Sequence, residues 1–515
     1  MCRKLKKMKN TFPIVAMLFC AFSLTAQIHI SIDEPSSTWT AQKALSEYIG
    51  QTVIFDDPIV VCSNANSSSL VVSPWRMFEP KSQGETGSVE YRNAVHVNST
   101  CRMALTDVDG YHRCGEKVYN LKVKVNSTSS LSFISGEWRG NTRADLNTLP
   151  DLGDYRLLVC AMNLENYYMT LGSMGAKTEA DRQKQRAKVS KALAKINADI
   201  YGLIELQQGN EAIAEIVSDL NNNLPERDYR YFTDAGSGTM QKSDYVYDAN
   251  TVEPIGLPVE INAEIANRKK MICFREKATG EKFIYSINHF KSMNTGGADT
   301  RSKEATAVLD RYKSYRSHPS IQDRDMLLMG DLNTYAFTEP IAIFLNYGLL
   351  DLHRGFHADS SYSYMFGGLA SYIDHAISSE TLFGQITGMA AYTINSDEAD
   401  AYTYDKSNDK TMFRSSDHDP VLVGLRLDST QVYDPSPQIN SADVFSGNSD
   451  QMVILNAYNS DAHSYYAIYS INGFLLERKE IDADYYEVQL PTAPGTYIVY
   501  IYYNGEVFQR RLIVR

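Results

Sequence analysis

The chain has few cysteines and lacks the cysteine and histidine pattern of a zinc site. Seven cysteines occur in 515 residues, two of them within the first 26. Zinc fingers and ribbons need paired ligands at short, regular spacings, and the sequence contains none. Beyond the first 26 residues it also lacks any apolar run long enough to span a membrane. The remaining composition is that of a globular protein with room for two or three domains.

Residues 1–26 carry the order of features found in a secretory signal peptide. Five basic side chains come first, an apolar run follows over residues 12–24, and a small residue stands at Ala26. This pattern predicts an exported protein, in the periplasm, at the cell surface or outside the cell. A retained membrane anchor is the alternative, although the apolar run is short for a span. A lipoprotein signal at Cys20 is disfavoured because Phe19 is bulky where lipidation requires a small residue.

Acidic residues outnumber basic ones. The formal net charge is −12, and loss of the five positive charges of the predicted signal peptide would take it to −17. An acidic protein does not coat itself with nucleic acid non-specifically, because phosphates repel its surface. A phosphate-bearing substrate must therefore be bound locally, by a few basic groups or by a metal ion.

Residues 28–151 are predicted to form a small all-β domain. Its apolar segments are short and separated by polar turns: TVIFDDPIVVC, SLVVSP, LKVKV and LSFISG. Only residues 40–49 have helical spacing. The set resembles an oligonucleotide- or oligosaccharide-binding (OB-like) barrel, and a spacer domain without a binding role fits the same pattern.

The pattern changes over residues 155–428, where apolar strands alternate with amphipathic helices. Helical spacing of apolar residues is found over 188–200 and 213–220. Strands are predicted at 155–162, 200–206, 271–274, 283–288, 326–329, 373–377 and 421–425. Strands interleaved with helices indicate an α/β fold.

Residues 441–515 are predicted to be all-β, after a linker rich in Ser, Pro and Asn that begins near residue 428. Two strand-like runs, TYIVYIYY and VFQRRLIVR, flank the pair Asn504-Gly505. Asn-Gly is the preferred sequence of a two-residue hairpin turn, and a second such pair stands at 472–473. These features predict a C-terminal β-sandwich.

Polar side chains occur where the strands of the α/β region end. The apolar run at 326–330 is followed by Asp331 and Asn333, and such a strand end could be an ordinary turn. Other strand ends carry similar groups, and if the strands share a sheet these groups gather at one edge. They are Asn163, Glu205, His289, Lys291, Asp331, Asn333, Asp374, His375, Asp417 and His418. Carboxylate and amide oxygens suit a hard cation such as Mg²⁺, Mn²⁺ or Ca²⁺.

Two other pairs of residues have structural predictions. His353 and His357 are four residues apart in a glycine-containing segment and are predicted to be exposed loop residues rather than metal ligands. Cys101 and Cys114 are the candidates for a disulfide, since export permits one. Cysteines within the strand-like runs are predicted to be small core residues.

Six segments resemble the motifs of the endonuclease/exonuclease/phosphatase superfamily, in the same order and with the same spacing. They are LLVCAMNLENY, ADIYGLIELQ, INHFKS, MGDLNTY, YIDHA and SSDHDPV. That family includes deoxyribonucleases, abasic-site endonucleases, neutral sphingomyelinases and inositol-polyphosphate phosphatases. The resemblance implies a four-layer α/β/β/α sandwich over residues 155–428. The segment YSYMF, residues 362–366, is most similar to the secreted bacterial nuclease branch.

The resemblance implies metal and phosphate-binding roles for the matching residues. Glu205, with help from Asn163, would hold a divalent cation that neutralises charge on the phosphoryl group, and Asp417 would contribute to the same cation or to a second one. Mg²⁺ is the first candidate, with Mn²⁺ or Ca²⁺ as alternatives. His418 would contact the scissile phosphate or help to activate water, and Asp374 would orient it and stabilise its charged form.

The resemblance implies further roles around the reacting phosphate. Asp331 would align or deprotonate the attacking water, or protonate the leaving oxygen. Asn333 and His289 would donate hydrogen bonds to phosphoryl oxygens as these gain charge. Lys291 and Arg268 are candidates for contacts to substrate phosphates.

One feature departs from the family pattern, and another resembles a second family. Many nucleases of the family have an arginine after the tyrosine of a central strand, whereas Asp248 follows Tyr247 here, which puts one substrate contact in doubt. No extended basic stripe for tight duplex binding is present either. The C-terminal region, through Gly473, the run PGTYIVYI and its basic finish, resembles the sorting domain of type IX secretion in Bacteroidetes. It would then be recognised by secretion machinery; a plain β-sandwich is the alternative.

The combined features predict an exported, metal-dependent phosphodiesterase, and in particular a nuclease acting on DNA or RNA. One alternative keeps the site and changes the substrate, as in a phospholipid phosphodiesterase of sphingomyelinase type or a phosphate-ester phosphatase. The other alternative is a catalytically inactive surface protein that binds through its first domain.

Overall fold

The computed structural model describes residues 27–66, 68–172, 174–234, 240–357 and 361–427, together with short segments nearer the C-terminus. Those segments are 443–446, 451–455, 465–470, 474–481, 485–489, 495–503 and 506–514. The predicted signal peptide, the predicted linker and the Asn-Gly turns at 472–473 and 504–505 lie outside the described residues.

Seven strands make up the sheet of the N-terminal region. They are β1 (Ile28–Ile30), β2 (Thr52–Phe55), β3 (Ile59–Asn66), β4 (Ser69–Ser73), β5 (Met103–Thr106), β6 (Lys117–Ser127) and β7 (Ser130–Arg139). Their order is β1-β2-β6-β3-β4-β5-β7, and β7 also pairs with β6. The strands β6, β3, β4, β5 and β7 therefore close into a ring, which removes open sheet edges. Buried apolar side chains such as Val61, Leu105 and Val123 form its core.

The prediction of an all-β N-terminal region is wrong in one respect, because helices accompany the ring. They are α1 (Ala41–Leu45), α2 (Pro80–Gln83) and α3 (Val89–His96). Helix α1 lies inside the predicted helical segment and follows Thr40, whose side chain accepts a hydrogen bond from the Lys43 amide. Helix α3 follows Ser88, which caps it in the same way. Of the α3 residues only Ala94 is buried, so the sequence carries no apolar stripe there that would predict a helix.

The central region is a mixed α/β fold built on two six-stranded sheets. Its strands are β8 (Leu157–Tyr167), β9 (Ile200–Gln207), β10 (Tyr229–Tyr231), β11 (Gln241–Asp248), β12 (Val252–Glu260), β13 (Lys269–Glu276), β14 (Lys282–His289), β15 (Met326–Asp331), β16 (Leu350–Asp351), β17 (Tyr364–Phe366), β18 (Leu369–Ser371), β19 (Asp374–Ser378), β20 (Ile386–Ala391) and β21 (Val421–Leu425). The first sheet has the order β10-β11-β9-β8-β21-β20, and the second has the order β12-β13-β14-β15-β19-β16. Strands β17 and β18 form a separate hairpin. Each strand predicted from the sequence is present.

Helices pack around these sheets, and a shared core lies between the two sheets. The helices are α4 (Glu179–Ile196), α5 (Glu211–Asn223), α6 (Ala298–Tyr315), α7 (Glu339–Asn346), α8 (Leu352–His357) and α9 (Glu380–Phe383). Helices α4 and α5 pack on the first sheet through residues such as Leu193 and Ile213. Helices α6 and α7 pack on the second sheet. Between the sheets, Ile204 of the first belongs to one buried cluster with Tyr285 and Met329 of the second.

One glycine is required for the alignment of the strands that carry the site. Strands β14 and β15 run parallel, with Asn288 opposite Gly330 and His289 opposite Asp331. Gly330 has φ +131°, and a Cβ there would lie 2.0 Å from the Asn288 carbonyl oxygen. Because no other residue fits that close approach, Gly330 fixes the position of the aspartate that follows it.

The described C-terminal segments form two small sheets. Their strands are β22 (Asp443–Ser446), β23 (Gln451–Leu455), β24 (Tyr465–Ser470), β25 (Leu475–Glu480), β26 (Tyr485–Gln489), β27 (Gly495–Tyr503) and β28 (Glu506–Val514). The sheet orders are β22-β23-β26 and β25-β24-β27-β28. Strands β27 and β28 are antiparallel partners, as the sequence predicted for the hairpin around residues 504–505.

The predicted disulfide is absent. Cys101 and Cys114 are both buried and are not joined to each other, and the Cys101 thiol donates to the Trp39 carbonyl oxygen instead. Cys160 and Cys273 are fully buried, as predicted for core residues. Among the described residues, no helix is long and apolar enough to cross a membrane.

Candidate active site

Three predicted site residues stand side by side at one edge of the second sheet. His289 at the end of β14 is opposite Asp331 at the end of β15, and Asp331 is opposite Asp374 at the start of β19. All three side chains are buried. The strand pairing therefore places two carboxylates and an imidazole in one row, in a setting where burial disfavours charge.

His418 completes this row from the segment that precedes β21. Its Nδ1 lies 2.8 Å from Asp374 Oδ2, and its Nε2 lies 3.9 Å from Asp331 Oδ2. Burial by itself lowers the pKa of His418, but the carboxylates of Asp374, Asp417 and Asp331 outweigh burial and raise the pKa well above its ordinary value. His418 is therefore a buried imidazolium, suited to contact with an anion.

Asp331 is held from both sides. Its Oδ1 accepts a hydrogen bond from the Asn333 amide at 2.8 Å, and its Oδ2 accepts one from Asn163 Nδ2 at 3.2 Å. Burial raises the pKa of Asp331 to about 7, against the lowering effect of nearby His418. A carboxylate with a pKa near neutrality can take up and release a proton, as a general acid or base must.

The first sheet contributes Glu205 at the end of β9. Glu205 has a left-handed backbone, φ +65°, which is strained for a non-glycine residue. Its Oε2 accepts a hydrogen bond from the Asn166 amide at 2.8 Å. Burial and the nearby Asp417 carboxylate raise the pKa of Glu205.

His289 lies between this glutamate and Asp331. Its Nε2 is 3.7 Å from Glu205 Oε1 and 3.6 Å from Asp331 Oδ2. Burial, together with the positive charge of Arg268, lowers the pKa of His289 well below its ordinary value. His289 is therefore neutral in the same site where His418 is charged.

Arg268 and Lys291 were predicted to contact substrate phosphates, and in the structure each contacts other residues of the protein. Arg268 contacts both ring nitrogens of His289, donating from Nε to Nδ1 at 3.1 Å, so it supports that ring. Lys291 donates its backbone amide to Glu304 and accepts from Arg301 at its carbonyl oxygen. Across the described part of the chain, no hydrogen bond or ion pair joins the Lys291 ammonium group to the site residues.

The structure adds residues that the sequence did not assign. Ser363 donates its hydroxyl to Asp374 Oδ2 at 2.8 Å, and the ring of Tyr364 lies 4.7 Å from that of His418. Both belong to the segment YSYMF, which indicated a similarity to one branch of the family but gave no role to its residues. Glu165, within β8, also received no role from the sequence.

The donor groups near Glu205 fit a divalent cation. Glu165 Oε2 is buried and is without a hydrogen-bond partner among the described residues. Burial and the carboxylates of Asp417 and Glu205 raise the pKa of Glu165 to about 8. Crowded carboxylates of this kind are relieved by a cation with oxygen ligands, and the Asn163 amide oxygen is a further ligand of the same type.

A second grouping could also hold a metal ion. Asp331, Asp374 and His418 each offer one ligand atom, and these atoms lie within 4.8 Å of one another. The His418 ring contacts Asp374 through Nδ1, which leaves Nε2 as its ligand atom.

The structure shows the positions of two further residues that the sequence singled out, Asp248 and His353. Tyr247 is opposite Ile200 at the start of β9, so Asp248 lies at the far end of that strand from Glu205, where it pairs with Arg227. Asp248 therefore lies away from the residues gathered around Glu205. His353 is not an exposed loop residue: it is fully buried on α8, with Nε2 2.8 Å from the Asp374 carbonyl oxygen.

A comparison with protein families agrees with the motif pattern. Residues 163–418 match the model of the Endonuclease/Exonuclease/phosphatase family. A search of curated proteins gives no match. Similar solved structures include an endonuclease/exonuclease/phosphatase family protein of Bacteroides thetaiotaomicron (20% identity, TM-score 0.39, covering 53% of this chain and 98% of that one). They also include a mannosyl-6-phosphatase of the same species (18%, 0.38, 53% and 100%) and D. rerio TDP2 complexed with a single-strand DNA product (14%, 0.38, 53% and 99%).

Proposed function

Because residues 163–418 form a domain of the endonuclease/exonuclease/phosphatase family, whose members are hydrolases of phosphate esters, we propose that this chain is an exported, metal-dependent nuclease. It would hydrolyse the phosphodiester bonds of DNA or RNA. The observation that carries the proposal is the meeting of strand ends from two sheets, which brings Glu205 and Asn163 to the row of His289, Asp331, Asp374 and His418. The pKa of His289 is lowered and that of His418 is raised, and such opposite shifts in one site further support hydrolytic chemistry.

In this proposal each residue acts on an attacking water or on the phosphate. His418, charged and held by Asp374, binds a phosphoryl oxygen. Asp331 aligns the water and takes its proton, or protonates the leaving oxygen. The water oxygen forms the new bond to phosphorus while the bond to the leaving oxygen breaks. Neutral His289, with Asn333, donates hydrogen bonds to the phosphoryl oxygens as they gain charge.

Glu205, Asn163 and Asp417 would hold the divalent cation, with Mg²⁺ the first candidate. When bound, the cation supplies positive charge for the phosphoryl oxygens and the leaving group. Asp417 is the most open of the three, with a side chain about one-third exposed. Asp331, Asp374 and His418 are the competing set.

A nucleic-acid substrate is supported by the hairpin β17–β18. The partly exposed ring of Tyr364 lies over His418, beside the position assigned to the phosphate. At the tip of the hairpin, the Phe366 side chain is 69% exposed. Aromatic faces next to a phosphate site suit the bases of a single strand, which stack on them without regard to sequence.

A phospholipid phosphodiesterase is the second candidate, and one observation favours it. Exposed apolar side chains lie near the Glu205 side of the site: Leu171, Met174 and Met240 are 42%, 47% and 53% exposed. Met174 is in contact with Tyr168, and the Met240 carbonyl accepts from the Gln208 amide just beyond β9. The sequence alone gave no sign of such an apolar rim.

The flanking regions enter the proposal as parts of an exported enzyme. The five-strand ring of residues 28–151 is proposed to be an OB-like barrel, and the two sheets with their outer helices to be a four-layer α/β/β/α sandwich. The C-terminal strands are proposed to form a β-sandwich that serves as a sorting domain. Residues 1–26 are proposed to direct export.

The test is a substrate panel with purified protein and Mg²⁺. We expect release of nucleotides from single- or double-stranded DNA or from RNA, and loss of activity with a chelator. Asp331→Ala and His418→Ala should each lose activity, while Asp310→Asn on the exposed surface of α6 should keep it. Hydrolysis of sphingomyelin vesicles alone would favour the second candidate. Metal-replete protein without activity on any phosphate ester would mean a binding protein.

A further inference from the structure

A segment of the N-terminal region adds to the hairpin β17–β18 as a further strand. Phe78 forms a parallel bridge with Ala370. The Glu79 amide donates to the Ala370 carbonyl oxygen, and the Ala370 amide donates to the Met77 carbonyl oxygen, each at 2.9 Å. Both backbone groups of Ala370 are therefore bonded to residues 77–79.

Side chains of the hairpin also pack against the ring of strands. Leu369 packs on the apolar core of the N-terminal region. A Cβ at Gly368 would lie 3.1 Å from Ser63 Cβ on β3, so the turn of the hairpin approaches the ring closely. The hairpin is thus held by backbone hydrogen bonds and by packing, both from the N-terminal region.

Arg76 adds a largely buried charge to this junction. Its Nη1 lies 2.6 Å from the Tyr362 hydroxyl, its guanidinium carbon lies 4.1 Å from the centre of the Tyr362 ring, and its Nη2 pairs with Asp397. The Tyr362 hydroxyl donates to the same Asp397 at 2.8 Å. The Asp397 side chain is fully buried. Removing the arginine would leave a buried carboxylate without its cation and Tyr362 with its hydrogen bond to Asp397 alone.

The residues that follow Tyr362 are the ones that contact the candidate catalytic pair. Ser363 donates to Asp374, and Tyr364 bridges to His418 through the backbone and lies against its ring. The Ser363 amide also donates to the Ser371 carbonyl oxygen across the hairpin. A continuous set of contacts therefore runs from Arg76 through the start of the hairpin to Asp374 and His418.

We propose that Arg76 is a positioning residue, which together with residues 77–79 holds the hairpin against Asp374 and His418. The N-terminal region is then part of the hydrolytic unit and not a spacer. The inference rests on the proposed hydrolytic function of the site. Arg76 touches neither substrate nor metal; it acts through Tyr362 and the two residues after it.

The first test follows the hairpin itself by hydrogen exchange and mass spectrometry of the full chain. We expect Arg76→Met to speed amide exchange in peptides covering 361–371 by about tenfold or more. Arg113→Met is the matched control, because Arg113 is also a buried arginine of the N-terminal region, paired with Glu398 in the central region. It should leave exchange in the hairpin unchanged. Equal hairpin protection in wild type and Arg76→Met would overturn the proposal.

The second test asks whether Arg76 acts through the hairpin, using bis(p-nitrophenyl) phosphate with Mg²⁺ well below the melting temperature of each variant. We expect Arg76→Met to lower kcat about tenfold with KM within twofold of wild type, and Arg113→Met to leave kcat unchanged. In the background of Ser363→Ala and Tyr364→Leu together, the Arg76 substitution should have little further effect. Fully additive losses, or an equal loss in Arg113→Met, would overturn the proposal.

A gentler substitution keeps the tests decisive if Arg76→Met does not fold. Tyr362→Phe keeps the ring and removes only the hydroxyl that links Arg76 and Asp397, and it should reproduce both effects more weakly. Absence of either effect in folded Tyr362→Phe would count against the proposal. Wild-type protein inert on every phosphate ester would refute the proposed function, whereas the exchange test would still decide whether Arg76 holds the hairpin.

Discussion

At the scale of single residues, the site is defined by carboxylates that burial and mutual repulsion keep from ionising easily. The pKa of Glu165 is raised to about 8 and that of Asp331 to about 7, and the pKa of Glu205 is raised as well. Only His418 supplies a positive charge among the candidate catalytic residues. A divalent cation would relieve this repulsion, so cation binding and proton binding should compete.

We expect Mg²⁺ binding to release protons at pH 7. Glu165 is mostly protonated at that pH, and the cation favours its ionised form. Affinity should therefore rise as pH increases from 6 to 8. Isothermal titration in two buffers with different heats of ionisation measures the released protons, and Glu165→Gln should release fewer. Affinity that is independent of pH over this range would contradict the expectation.

Substitution at the two candidate cation sites should separate metal binding from turnover. Glu205→Gln should weaken Mg²⁺ binding at least about tenfold, because a charged oxygen ligand is lost. Asp374→Asn should leave Mg²⁺ affinity nearly unchanged and lower kcat by about 10³ or more, because His418 loses its charged partner. Calorimetry and steady-state kinetics on the same samples make the comparison. The reverse pattern would place the metal at Asp331, Asp374 and His418.

Much of the site could be predicted from the sequence, because its residues follow apolar runs that read as strands. Asp331 and Glu205 are examples, and pairing of the strands then brings their groups together. Ser363 and Tyr364 could not be assigned, since they belong to a hairpin outside both sheets and contact Asp374 and His418 only through the tertiary structure. The contact of Arg268 with His289 could not be predicted either, because a sequence shows that an arginine is present but not which residue its side chain contacts.

At the scale of secondary-structure elements, the pairing of β14 with β15 sets the active-site row. The two strands are parallel and buried, and their register places His289 beside Asp331. Gly330 allows the close approach that this register needs. The helices around the sheets follow from their apolar faces, as the sequence indicated for α5. Helix α4 begins earlier than predicted, at its Thr178 cap, because its first turns carry charged residues and no apolar repeat.

Replacing Gly330 with alanine should strongly destabilise the protein. The added Cβ would lie 2.0 Å from a backbone oxygen, and alanine disfavours the φ at this position. We therefore expect the free energy of unfolding to fall by about 3 kcal/mol or more. Gly280→Ala is the control, with a similarly positive φ but no atom within 4 Å of the new Cβ. It should cost about 1 kcal/mol. Urea unfolding compares the two variants. Equal losses in the free energy of unfolding would contradict the close approach of Gly330 to the Asn288 carbonyl oxygen.

At the scale of the whole molecule, the N-terminal and central regions share a buried, charged boundary. Arg113 and Arg143 of the N-terminal side both pair with Glu398, whose side chain is 1% exposed. Arg76 pairs with Asp397 beside them. These contacts join residues 255 to 321 positions apart, and no local sequence pattern predicts them. The charges appear in the sequence as ordinary surface residues.

Removing the shared carboxylate should destabilise the protein as a whole. Glu398→Gln leaves Arg113 without its anion and Arg143 with Asp409 alone, and the loss of one partner of a buried pair costs about 3–5 kcal/mol. Glu137→Gln is the control, since its pair with Arg139 is more than half exposed and such pairs contribute about 0–1 kcal/mol. Denaturant unfolding monitored by circular dichroism gives both values. A near-zero cost for Glu398→Gln would show that the boundary is not a stabilising contact.

The most direct measurement is hydrolysis of nucleic acid by the full chain with and without Mg²⁺, alongside Asp331→Asn. We expect metal-dependent cleavage by the wild type, a fall in kcat of about 10²–10⁴ in Asp331→Asn, and unchanged Mg²⁺ affinity in that variant. Asp331 would then handle protons while Glu205 holds the cation. Loss of Mg²⁺ affinity in step with activity would contradict that division. Undiminished cleavage by Asp331→Asn would contradict the assignment of the active site.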